Sequence, residues 1–215
     1  MIARASSSSL AVRTAWLLTA VVVVGGVPML ADHWAYGALV VNRVYDHDWA
    51  RLLRVMGFLP TWWVAALALY LHERESEPAH AKRRAWSLAV APAVAGLGAE
   101  ILKLLLRRER PQAHDGLYGF RPWSEQPFSS AGLALPSSHT MVAFGAAAAL
   151  ARLFPRAKWV WYALAAGCGI TRVLDRAHFV SDVTLGALLG WSAGWGVCQL
   201  FSSAGRDTTS HRRSS

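Results

Sequence analysis

At 215 residues the chain is long enough for one domain, and with 54% hydrophobic and only 16% charged residues it is too apolar for an ordinary soluble protein of that size. The net charge of +9 does not point to nucleic acid, because the basic residues are scattered through turns between apolar stretches, without a basic helix or a stacking platform. Anionic lipid headgroups match that distribution better, and many of the 11 tryptophans, among them Trp34, Trp62, Trp63, Trp86, Trp123 and Trp159, flank apolar runs where an interfacial belt would lie.

Taken in chain order, residues 1–14 carry a serine run and read as a disordered cytoplasmic N-terminus. Crossing a hydrocarbon core takes roughly 20 apolar residues. Six runs qualify or nearly so: Ala15 to Ala31, Leu52 to Leu71, Ala85 to Leu106, Ser138 to Phe154, Trp159 to Leu174 and Val183 to Phe201. The first lacks a clear small-x-small cleavage site and is read as an uncleaved span and not as a secretory signal. The fourth and fifth are short and joined by Pro155-Arg156-Ala157-Lys158, which predicts an antiparallel helical hairpin. The expected fold is therefore all-α, an integral membrane bundle of about six transmembrane helices over residues 15–201, followed by a disordered cytoplasmic tail at 202–215. The loop from Arg107 to Pro136 holds four prolines and several glycines and is expected to be irregular, shaping the entrance to a site. Cys168 and Cys198 sit inside apolar runs without metal-ligand spacing and read as packing residues. Six crossings put both termini on one side, together with more than half of the 22 Lys and Arg, so the termini face the cytoplasm.

Three polar clusters interrupt this pattern. Lys103, Arg107 and Arg110 fall within about 60° of one another at the end of the third run, and a lysine inside an apolar span is costly unless paired or lining a wet cavity. Pro136-Ser137-Ser138-His139 precedes the fourth run, where the serines can cap a helix whose first N–H groups attract anions and His139 can exchange a proton near neutral pH. Thr171-Arg172, His178 and Asp182 fill the connection between the fifth and sixth runs, with His178 and Asp182 at i and i+4, a spacing that suits a nucleophile and the group orienting it. Alone, each cluster has an ordinary reading: snorkelling cations, a serine cap, a surface His–Asp pair. The loops that hold them are separated by two crossings, however, which brings all three to one membrane face.

The segments KLLLRRERP, PSSH and TRVLDRAHFVSD, in that order, resemble the three-part signature of the type 2 phosphatidic acid phosphatases, a superfamily that also includes bacterial acid phosphatases and vanadium haloperoxidases. The likeness covers roughly Leu52 to Phe201, with the signature at 103–182. It implies a metal-independent membrane lipid phosphate phosphatase without cofactors, in which His178 is the nucleophile, Asp182 orients it and His139 is the acid and base. Lys103, Arg110, Ser137, Ser138 and Arg172 would bind the phosphate. Implied substrates are undecaprenyl pyrophosphate, phosphatidic acid, phosphatidylglycerophosphate or a lipid A phosphate, met in a bacterial-type inner membrane with the site on the outer face. Partners are then membrane lipids and not nucleic acid, while the oligomeric state stays open. A lipid phosphotransferase on the same scaffold, or a transporter, are the alternatives. Arg107, Arg108 and Arg121 are candidates for a second phosphate or a headgroup. Two positions depart from the signature: Ser138 replaces a glycine, and Thr171 replaces a serine.

Overall fold

The structure, a computed structural model, describes residues 26–211, with side chains described for 26–201. The expected N-terminal segment and most of the first expected span lie outside the described residues. Among those described there are seven α-helices and no strand: α1 Val27–Ala38, α2 Asp48–Val55, α3 Leu59–Glu73, α4 Pro78–Leu106, α5 Ser138–Leu153, α6 Lys158–Leu174 and α7 Val180–His211. The α5–α6 hairpin turns where Pro155 was expected to turn it, through a short 3-10 segment at Pro155–Ala157. The assigned helix α7 continues to His211, into the segment expected to be an irregular tail.

The expected second span is two helices. A break of three residues after Val55 bends α2 from α3 by 66°, and only together do they pass as one broken span. Gly57 and Pro60 account for the break, the first because it lacks a Cβ, which would stand 2.7 Å from His139 Cβ, and the second because a proline near a helix start disfavours continuous helix before it. The carbonyl of Met56, freed by the break, accepts a hydrogen bond from Trp62 Nε1 at 2.9 Å. Of the described helices only α4, with 29 residues, is long and apolar enough to cross a bilayer unaided.

Helix α5 is the centre. Thr140, Met141, Val142, Ala143, Gly145 and the run from Ala146 to Leu150 are all buried, and α4, α6 and α7 pack around it. Its alanines let neighbouring backbones come close, as do three glycines on α7 at i, i+4 and i+8: Gly186, Gly190 and Gly194. A Cβ on Gly190 would stand 2.7 Å from Met141 Cα, and one on Gly194 would stand 2.9 Å from Gly145 Cα. These are backbone atoms, so relief requires moving a helix. Gly190→Ala is therefore expected to destabilise the protein by about 1–3 kcal/mol through overpacking, despite the better helix propensity of alanine. Gly196→Ala, where nothing stands within 4 Å, is the control and should be neutral or mildly stabilising. Thermal unfolding in detergent measures both, and equal effects would show that the seam does not set the α5–α7 approach.

The distribution of side-chain size is inverted relative to a water-soluble bundle. Along α4 the buried face is Ala81, Ala85, Leu88, Ala91, Ala95 and Ala99, while Val94, Leu97, Ile101 and Leu105 are exposed. Trp63, Val64 and Leu67 on α3 and Trp191, Trp195 and Leu200 on α7 are exposed as well. Large apolar side chains thus face outward over several helices, far beyond the scattered exposure normal for a soluble monomer. Cys168 and Cys198 are buried thiols, in keeping with packing roles.

Candidate active site

The end of α4, the start of α5 and the α6–α7 connection meet at one end of the bundle. Lys103 is buried and lies within electrostatic reach of Arg110 and Arg172. His178 faces Arg172 and Lys103, and His139 lies within reach of Arg172, Arg54, His178 and Lys103. The backbone ties the clusters together: Ser137 N–H donates to Asp182 O at 3.1 Å, and the N–H groups of Ala177 and His178 donate to Arg172 O at 3.2 and 3.3 Å.

The cations differ in how far they are satisfied. Lys103 Nζ is 3.3 Å from Glu100 Oε1, one turn earlier on α4. Arg172 Nη1 donates to Tyr45 Oη at 2.7 Å and lies 3.5 Å from Asp175 Oδ2, but its buried Nε has no hydrogen-bond partner. The Nε of Arg110 is also buried without a partner. Buried guanidinium N–H groups left unpaired in this way are costly, and an anion between them would satisfy both.

His178 is 3% exposed. Its Nδ1 lies 3.7 Å from Asp182 Oδ2, an ion-pair distance and longer than a hydrogen bond, which turns Nε2 away from the carboxylate. Asp182 is fully buried and otherwise committed: Oδ2 accepts the Phe179 N–H at 2.8 Å, and Oδ1 pairs with Arg108. Burial pushes His178 down to about 4; Asp182 opposes the shift, and Arg172 and Lys103 add to it. The imidazole is therefore neutral, with a free ring nitrogen, across the physiological range.

Both serine hydroxyls are hydrogen-bonded within the protein. Ser137 stands at the N-cap of α5 but makes no side-chain cap bond; its Oγ accepts from Thr140 Oγ1 at 3.0 Å. Ser138 Oγ donates instead to Glu100 Oε1 at 2.6 Å, so it braces α5 against α4 next to Lys103. The hydroxyl that replaces the expected glycine is thus occupied by a carboxylate. Thr171 Oγ1 is spent on the Cys168 carbonyl at 2.7 Å within its own helix.

The three arginines considered for a second phosphate are used internally. Arg107, in the left-handed region at φ 55°, turns its buried side chain onto the carbonyls of Arg121, Pro122 and Glu125 and holds the loop. Arg108 is buried against the edge-to-face pair of Tyr118 and Phe179, 5.2 Å from each ring centroid, and binds Asp182 and Ser181 Oγ. Arg121 binds Glu109 and Gln126. Sequence reasoning missed Glu100, Tyr45, Arg54 and Asp32. Glu100 carried a signal, an acid three residues before a buried lysine. Asp32 on α1 takes Ser181 N–H and Oγ at 2.9 and 2.5 Å and the Tyr118 hydroxyl at 2.7 Å, a contact spanning most of the chain that no local pattern encodes. Among the described residues, no group of three His, Cys, Asp or Glu is arranged to hold a metal ion.

Two curated relatives share part of this chain. It is 40% identical over 97 residues to a lipid A 1-phosphatase of Rhizobium johnstonii, covering 44% of this chain and 38% of the relative. It is 40% identical over 103 residues to a lipid A 1-phosphatase of Rhizobium etli, covering 46% and 41%. The matched part thus spans about two fifths of the length of these relatives. No solved structure matches the chain significantly. The family model described as the PAP2 superfamily matches residues 84–206, which is more than half of the chain and takes in all three clusters. On that match, this chain belongs to the PAP2 superfamily.

Proposed function

We propose that the protein is a membrane lipid phosphate phosphatase working through a phosphohistidine at His178. The observation that carries this reading is the buried Lys103 and Arg172 and the half-buried Arg110 beside a neutral, buried histidine, with the buried Nε atoms of both arginines unpartnered. In the first step His178 Nε2 attacks phosphorus; the N–P bond forms as the bond to the leaving oxygen breaks, and His139 gives that oxygen a proton. Lys103, Arg110, Arg172 and the first-turn N–H groups of α5 compensate the charge that builds on the nonbridging oxygens. In the second step water attacks the phosphohistidine while His139 takes its proton, the N–P bond breaks, and inorganic phosphate leaves with His178 neutral again. Asp182 stabilises the imidazolium-like transition state from 3.7 Å, closing to a hydrogen bond as positive charge develops.

The membrane part of the reading rests on the outward-facing leucines, valines and tryptophans of α3, α4 and α7. Helices α5 and α6, of 16 and 17 residues, are about 24–26 Å long, so tilt or local thinning would accompany a six-span arrangement completed by the first apolar run. The basic residues then favour a site on the outer face of a bacterial inner membrane. The relatives' name adds weight to a lipid A phosphate among the candidate lipids.

The test is phosphate release in detergent from phosphatidic acid, phosphatidylglycerophosphate, an undecaprenyl-type pyrophosphate and lipid A, with EDTA present. Release from at least one lipid, undiminished by EDTA, is the expected result. Release that requires an added acceptor would favour the phosphotransferase, and loss on chelation would overturn the metal-independent scheme.

A further inference from the structure

Arg107, Arg108 and Arg121 are each hydrogen-bonded within the protein, so other residues are the better candidates for a second anionic subsite. A cavity of about 280 Å³ opens beside His139, lined also by Arg51, Arg54, Val55 and Phe58. Arg54 stands over the ring of Tyr45 at 4.5 Å, and Arg172 lies 5.6 Å from the centroid of the same ring while bonding its hydroxyl. Tyr45 therefore spaces Arg54 one ring away from the cations around His178. Arg54 makes no side-chain hydrogen bond or ion pair among the described residues, whereas Arg51 is paired with Asp48 at 2.5 Å. Arg54, Val55 and Phe58 are exposed.

His139 thus shares this cavity with a cation and with exposed apolar side chains. Under the proposed function His139 marks the side on which the leaving oxygen departs. A lipid monophosphate releases an alcohol there, which needs a proton but no cation. A lipid diphosphate releases a phosphate monoester, whose negative charge sits directly behind the leaving oxygen and whose hydrocarbon chain follows it. We infer that Arg54 forms a second phosphate subsite on the leaving-group side, and that the site prefers lipid diphosphates over lipid monophosphates. This rests on the phosphatase reading and specifies its substrate class.

The test uses the full chain in detergent with a pair matched in the hydrocarbon, farnesyl diphosphate and farnesyl monophosphate, and the variants Arg54→Gln and Arg54→Lys. Wild type should favour the diphosphate. Arg54→Gln should lower kcat/KM for the diphosphate by about 10- to 100-fold, the range for losing a charged hydrogen bond, while the monophosphate changes by less than about threefold. Arg54→Lys should keep part of the preference, since it keeps the charge without the fork. Equal losses on both substrates would mean that Arg54 serves the reacting phosphate, and an unchanged preference would mean that it serves neither; either result overturns the subsite and leaves the phosphatase standing. Failure of wild type to release phosphate from any lipid would instead overturn the proposed function, and the subsite with it.

Discussion

His178→Ala is expected to cut phosphate release by about 10⁴-fold or more, because under the proposed mechanism it removes the atom that attacks phosphorus. Rapid alkaline-quench experiments with lipid carrying labelled phosphate provide the direct readout: wild type should yield an acid-labile, base-stable protein label, and the alanine variant none. The variant should still bind inorganic phosphate, since Lys103, Arg110 and Arg172 remain. Equal turnover in both proteins would remove His178 from the mechanism. The pH dependence follows from the same buried ring. The reactive form is neutral, and burial holds the free-enzyme value at about 4, so activity is present above that value and lost as pH falls through it. The acid limb of kcat/KM, corrected for ionisation of the substrate, should therefore lie near pH 4, below the ordinary histidine range. A limb near 6.5 would show that the imidazole is far better solvated than this geometry allows.

Arg108→Met should be the most destabilising single change near the site. It leaves the carboxylate of Asp182 fully buried without its cation, and breaking a buried pair in this way costs about 3–5 kcal/mol. Arg108→Lys should recover only part of the loss: Asp182 and Ser181 are both met from Nη2, so a charge alone can serve them, but the lysine loses the guanidinium's contact with the Tyr118 and Phe179 rings. Pairing Arg108→Met with Asp182→Asn removes both charges and should return much of the stability, though not the activity. Chemical unfolding in mixed micelles measures the cycle. Additive losses would mean that the two side chains are not coupled.

Much of this was legible in the sequence because the informative residues stand at element ends. Ser138, Leu106 and Leu174 bound helices within a residue of where apolar periodicity placed them, and the spacings within each cluster are local. The break after Val55 was less visible, because a continuous apolar composition hides a glycine whose small size matters only against another helix. A Cβ on Gly57 would lie 2.7 Å from His139 Cβ, so the bend is shaped by the residue it presses against, 82 positions away. The same holds for Arg108. Within Arg107-Arg108-Glu109-Arg110 the three guanidiniums look alike in sequence, yet one staples a loop, one neutralises a buried carboxylate and one is left for a ligand. Tertiary position decides among them, and composition cannot. Ser138 was visible as a departure from the signature, but its partner Glu100 was not, since that contact joins two helices.

The glycine seam between α5 and α7 bears on when the protein can begin to work. Lys103, His139 and Arg172 precede α7 in the chain, whereas Asp182 lies on it, and the Ser137 N–H meets the Asp182 carbonyl only where the last helix has docked. A chain still being inserted carries most of the cations and both histidines, but His178 has neither its carboxylate nor its burial. Under the proposed function, competence thus arrives with the final helix, as a property of the finished bundle.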